Sequence, residues 1–174
     1  MIRTLPKELE KFFDSKNITA TDPVEFVIAC ARACVGINEV GGNNRGRMVE
    51  LFQAVVRTPV GSPWCVDFIQ AIVAYVELKL GIKSPVPSTD ACLVLLKYGQ
   101  IKKTGDIGDI IVWEMPNGGR HCGLIVGQNA TRWTTIEGNT SSAGFNRDGD
   151  GVFIKNRIRG GHDTFKEAGF LRTF

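Results

Sequence analysis

The sequence predicts an α+β fold in which helices from the first half of the chain pack on one face of a C-terminal antiparallel sheet. Three observations carry this. Up to about residue 98, apolar residues recur at three- and four-residue intervals, the period of a helix with one buried stripe. After Gly99 the apolar runs become short and rich in β-branched and aromatic residues: "DIIVWE", "CGLIVG", "RWTTIE" and "GVFIKNR". Turn-forming stretches such as "PNGGR" and "QNA" separate those runs closely enough for antiparallel neighbours.

A short helix is expected over residues 6–15. The next stretch, "TDPVEFVIACARACVG", has Asp22 as helix cap, Pro23 at the first position and Glu25 completing a capping box, with Gly36 as its stop. Cys30 and Cys34 share a face of that helix and read as packing residues. A third helix is expected from about Arg45 to Val56. A fourth covers 63–80, with Ser62 as cap, Pro63 at the first helical position and Gly81 as terminator. Trp64, Phe68, Ile72, Val76 and Leu80 form its stripe, and Cys65 sits at the edge of the buried face. "SPVPSTD" breaks the chain before a short helix with Cys92, Leu95 and Leu96. The strands follow, with "AGFLRTF" as the last.

A chain of 174 residues suits one domain with a full core. Hydrophobic residues at 43% against 22% charged exclude wholesale disorder. The net charge of +3 (21 Lys and Arg against 18 Asp and Glu) fits an anionic polymer as partner, yet no dense basic run suggests nucleic acid. Five cysteines without short paired spacing argue for reduced thiols rather than a disulfide framework or zinc ribbon. The charged N-terminus has no apolar segment of the signal-peptide kind, and no stretch approaches a membrane span. A cytoplasmic product is expected, a monomer without metal or cofactor.

The chemistry begins at "GSPWCVDFIQ". A thiol in the first turn of a helix is favoured as thiolate, the nucleophilic form. A cysteine nucleophile needs a base, and the base needs an orienting group. The sequence has two histidines. His162 lies in a Gly-flanked loop and reads as solvated, whereas His121 opens the "HCGLIV" strand. On the following strand "TTIEGNT" supplies Glu137 and Asn139, two apart and so on one face of an extended chain. If the two strands pair through "GQNA", His121 and Glu137 fall at facing ends.

Together, "GSPWCVDFIQ", "GDIIVWEMPNGGRHCGLIVG", "TIEGNT" and "DGDGVFIKNR" resemble the CHAP peptidoglycan hydrolases (cysteine, histidine-dependent amidohydrolases/peptidases), relatives of the NlpC/P60 and papain-like thiol hydrolases. "GINEVGGNNRG" resembles the segment preceding the cysteine helix in such proteins. Arg120 before the histidine and Cys122 after it depart from the commoner Gly and Val. The resemblance covers about residues 36–159 and leaves residues 1–20 as an N-terminal helical extension of a single catalytic domain without a separate wall-binding module. It implies a papain-like fold, Cys65 as nucleophile, His121 as general base, Glu137 as its orienting residue, Asn139 as a polar helper, and peptidoglycan as substrate, cut at an amide or peptide bond. It also implies that Trp64 walls the cleft, although packing explains that residue equally well. A phage endolysin released by a holin fits such a chain, and a secretion-system amidase effector is the alternative. Rival readings are a non-catalytic wall-binding module, a zinc set drawn from Cys65, His121, Cys122 and His162, and weak calcium binding by "NRDGDG" (146–151). The last has Arg157 where a calcium loop needs a bidentate glutamate.

Overall fold

The computed structural model describes residues 2–142, 149–161 and 165–174. Among these are five helices, α1 (Lys7–Asp14), α2 (Pro23–Cys34), α3 (Arg47–Val55), α4 (Cys65–Leu80) and α5 (Cys92–Tyr98). Six strands follow: β1 (Ile101–Lys102), β2 (Ile110–Glu114), β3 (Arg120–Gln128), β4 (Arg132–Thr140), β5 (Gly151–Ile158) and β6 (Lys166–Leu171). They form one antiparallel sheet in the order β1-β6-β2-β3-β4-β5, and the helices precede it in the chain, so the α+β expectation holds. The two-residue β1 was not among the expected strands. It pairs with β6, Ile101 opposite Leu171 and Lys102 opposite Phe170, and Lys102 is also tied to Asp106 and Asp109 by ion pairs of 2.7 and 2.6 Å.

Local chemistry accounts for two of the helix boundaries. Asp22 accepts a hydrogen bond from the Glu25 N–H at 2.9 Å, as the capping pattern predicts. Gly81 closes α4 in the left-handed conformation, φ +66°. The start of α4 differs from expectation by two residues. Ser62 does not cap it. Its N–H closes a turn onto the Pro59 carbonyl at 3.1 Å, and Trp64, at φ −127° and ψ 19°, is the last non-helical residue. Cys65 is therefore the first residue of the helix proper, two steps nearer its start than expected.

The sheet has apolar residues on both faces. Ile110, Val112, Cys122, Leu124 and Ile136 join the helices in the main core. Ile111, Trp113, Ile125 and Trp133 face the other way and pack with Phe165 and Phe170. This alternation is the period-two rule of a strand. The N-terminal helix packs into the main core: Leu9 and Phe13 are fully buried there, and the Phe13 ring stacks on Tyr75 of α4 at 4.7 Å. No helix among the described residues is long and apolar enough to cross a membrane.

β4 meets α4 at Gly138. A Cβ there would lie 2.6 Å from the Phe68 Cβ and 2.8 Å from the Trp64 ring. The absent side chain brings the strand carrying Glu137 against the helix carrying Cys65. Gly138→Ala is expected to lower stability by about 1–3 kcal/mol, the range for overpacking a filled core. Urea unfolding measures this, and an unchanged midpoint would refute the close approach.

Candidate active site

Cys65, His121 and Glu137 come from three elements. Cys65 opens α4 and is 8% exposed. His121, the second residue of β3, is equally enclosed, and Glu137 on β4 is completely buried. β3 and β4 pair from Leu124↔Ile136 to Gln128↔Trp133. Continuing that register sets Glu137 beside Gly123 and on the same face as His121. A Cβ at Gly123 would lie 2.6 Å from the Glu137 Cγ, so the glycine gives the carboxylate its path. Glu137 Oε2 then meets His121 Nε2 at 2.9 Å, the facing-ends arrangement expected from the sequence. Nε2 is thereby committed, which leaves Nδ1 to serve the thiol.

The Glu137 carboxylate has two further partners that the sequence reading missed. Arg157 of β5 engages both oxygens, with Nε 2.8 Å from Oε1 and Nη2 on Oε2. Thr135 donates its hydroxyl to Oε1 at 2.6 Å. Burial pushes this carboxyl up, but the hydrogen bonds from Arg157 and His121 and their charges prevail and hold it down at about 2. The Arg157 guanidinium is itself fixed over aromatic faces, 4.3 Å from the Phe165 centroid and 5.5 Å from that of Trp113. Trp113, directly across the β2–β3 ladder from His121, stacks its ring 6.0 Å from the imidazole at 14°.

The proton balance between Cys65 and His121 follows from these neighbours. Burial alone would push the His121 pKa down, but the adjacent Cys65 and the Glu137 carboxylate outweigh it and raise it to about 9. The Cys65 thiol is held well below its ordinary value by the neighbouring Cys122 and Cys92 thiols, which donate to it, and then by His121, against the penalty of burial. Cys92 Sγ lies 4.0 Å from Cys65 Sγ. Cys122 is pushed the opposite way, because its proton serves Cys65 and Cys92 and because it is buried. All five cysteines are free thiols.

The approach to Cys65 is tied down by the loop before α3. Glu39 accepts from the Trp64 indole N–H at 2.8 Å and from the Asn44 backbone N–H at 2.7 Å. Gln53 donates to the Ser62 carbonyl at 2.8 Å and to the Asn44 carbonyl at 3.2 Å. Trp64 is fully buried, stacked on Phe52 at 5.9 Å, so its visible role is packing and it offers no face to a cleft. Asn139 has a left-handed backbone, φ +53°, where the β4–β5 register shifts. The extended-chain argument that put it on the face of Glu137 therefore fails. Its Oδ1 is buried and has no partner among the described residues. His162 and Asn146–Asp148 of "NRDGDG" lie outside the described residues. Comparison with protein-family models finds no match, and neither curated proteins nor solved structures match the chain.

Asp67, two residues into the same helix, is buried, accepts the Thr58 hydroxyl at 2.7 Å on Oδ1, and has no partner on Oδ2 among the described residues. Burial raises its pKa from 3.8 to about 8, against that hydrogen bond and helped by Cys65 and Asp90. Between those two values the folded chain keeps a proton that the unfolded chain has released. Stability from this group is therefore full below 3.8 and is lost as pH rises through about 8. The limiting slope is about 1.4 kcal/mol per pH unit. Asp67→Asn is expected to flatten this fall, read as the difference in unfolding free energy between the two proteins at about pH 5 and about pH 8. A constant difference would place the proton elsewhere.

Proposed function

We propose that the protein is a cysteine hydrolase of the CHAP kind that cuts an amide or peptide bond of peptidoglycan, acting in the manner of an endolysin. The observation that carries the reading is the His121–Glu137 hydrogen bond of 2.9 Å, buried beside a cysteine that opens a helix. The choice of peptidoglycan rests on the likeness of the four sequence motifs, and the net charge of +3 is compatible with an anionic wall.

In this mechanism the Cys65 thiolate attacks the amide carbon and forms a C–S bond. The α4 N-terminus has no side-chain cap among the described residues, and its first-turn N–H groups are the donors for the developing oxyanion. His121, protonated at Nδ1, gives that proton to the leaving nitrogen as the C–N bond breaks. The now neutral imidazole takes a proton from water, the hydroxide attacks the thioester, and the carboxylate departs with Cys65 again a thiolate. Glu137 holds the ring in one tautomer and balances the imidazolium charge, and Arg157 keeps Glu137 ionised.

The wild-type chain is expected to release new amino groups from purified sacculi, and Cys65→Ala is expected to release none while its circular dichroism stays unchanged. Intact sacculi after treatment with the wild type would overturn the substrate. Activity that survives in Cys65→Ala would overturn the mechanism.

The protonation states set the pH profile. Catalysis needs Cys65 without and His121 with a proton, so kcat/KM is expected to fall as pH rises above about 9. Glu137→Gln removes one of the two influences that raise His121. The alkaline limb is expected to move to lower pH, and kcat to fall at least about tenfold, about 1.4 kcal/mol of transition-state stabilisation. A limb that stays in place would remove Glu137 from the proposed triad.

A further inference from the structure

Three cysteines from three separate elements converge at one point. Cys65 begins α4, Cys92 begins α5 and Cys122 lies on β3. Cys65 Sγ and Cys92 Sγ are 4.0 Å apart, and all three sulfurs lie within 4.8 Å of one another. Their residues are 27 and 30 positions apart in the chain, so no sequence motif announces the cluster. Packing alone explains one or two buried thiols, which behave as small hydrophobes. It does not require three sulfur atoms to share one centre. We propose that Cys65, Cys92 and Cys122 form a binding site for one thiophilic d10 cation of the zinc, cadmium or cuprous class, whose occupation takes Cys65 out of service.

The spacing suits such an ion. At a zinc–sulfur distance of about 2.3 Å, sulfurs lie about 4.0 Å apart in a trigonal site and about 3.8 Å apart in a tetrahedral one. Cadmium–sulfur bonds are longer and spread the sulfurs further, so the observed triangle brackets both ions with movements under about 1 Å. Soft thiolate donors select soft cations over magnesium or calcium. Each thiol that still holds its proton releases it to solvent as its metal–sulfur bond forms. Cys65 and Cys92 keep 8% and 7% exposure, so the cluster is not sealed from a small ion. The remaining cysteines, Cys30 and Cys34, form a buried pair on α2, set apart from this cluster, and serve as the internal control.

Binding stands on the sulfur geometry alone, and the loss of activity rests on the hydrolase reading. The reduced full-length chain is titrated with cadmium ion while the thiolate-to-cadmium charge-transfer band is followed, and X-ray absorption then counts the sulfurs around the metal. One equivalent per chain with three sulfurs is expected. Cys30→Ser/Cys34→Ser should change neither number. Cys92→Ser should lower the count to two sulfurs and weaken binding at least tenfold. No band at one equivalent, fewer than three sulfurs in the wild type, or a band lost in the Cys30/Cys34 variant would each overturn the site. If Cys92→Ser loses its fold by circular dichroism, the sulfur count of the wild-type chain decides. Amine release from sacculi is measured in parallel. Release that stops at one equivalent of cadmium supports the whole proposal, and release undiminished by bound cadmium overturns the inhibitory half. A metal-free chain that binds cadmium through three sulfurs yet releases nothing supports the site and retires the hydrolase reading.

Discussion

A carboxylate stripped of all water stays ionised only where opposite charge and donors surround it, and Glu137 imposes that requirement on the centre of this fold. Three elements answer it. β5 delivers the Arg157 guanidinium to both oxygens, β3 delivers His121, and β4 folds its own Thr135 hydroxyl back onto Oε1. Trp113 and Phe165 in turn fix the guanidinium by stacking. Removing one partner of a buried pair of this kind costs about 3–5 kcal/mol, because the other charge is left without compensation. The register of three strands is therefore coupled to one anion. A slip of a single residue in β4 or β5 would turn Glu137 or Arg157 to the wrong face.

The helical half solves a different problem, the placement of the first turn of α4. Glu39 and Gln53 tie the loop around Asn44 to Trp64 and Ser62, so the backbone leading into Cys65 is held from both sides. Gly138 then lets β4 press against Trp64 and Phe68. Two glycines in two neighbouring strands do complementary work. Gly123 yields space to a side chain within the sheet, and Gly138 yields space to the helix above it.

Much of this was legible in the sequence because it depends on short-range chemistry. Helix stripes, the Asp22 cap, the Gly81 stop and the five longer strands all follow from local periodicity and turn residues. The pairing of His121 with Glu137 follows from two adjacent strands and a short connection. What was not legible depends on contacts across many residues. Arg157 looked like a polar strand residue whose interest lay in disqualifying a calcium loop, and nothing nearby announced a buried acid 20 residues earlier. The Cys65–Cys92–Cys122 cluster escaped an argument built on short spacing, because its three members are brought together by packing. The placement of Asn139 was not legible for a local reason: period-two reasoning assumes an extended chain, and its backbone is left-handed.

That backbone bears on which residue orients the imidazole. A neutral amide would fix a tautomer by hydrogen bonding alone, with no charge to offset the imidazolium. Glu137 supplies both, and Arg157 keeps its own proton affinity too low for it to take the proton from His121. The arrangement thus has a direction. Positive charge on Arg157 fixes negative charge on Glu137, which favours positive charge on His121, which favours the thiolate of Cys65. The Cys122 and Cys92 thiols, which donate to Cys65, act first, and an alternating chain of charges with one end over the Trp113 and Phe165 rings and the other at the start of α4 adds to them, so that the thiol is held deprotonated inside a core that, by burial alone, would protonate it.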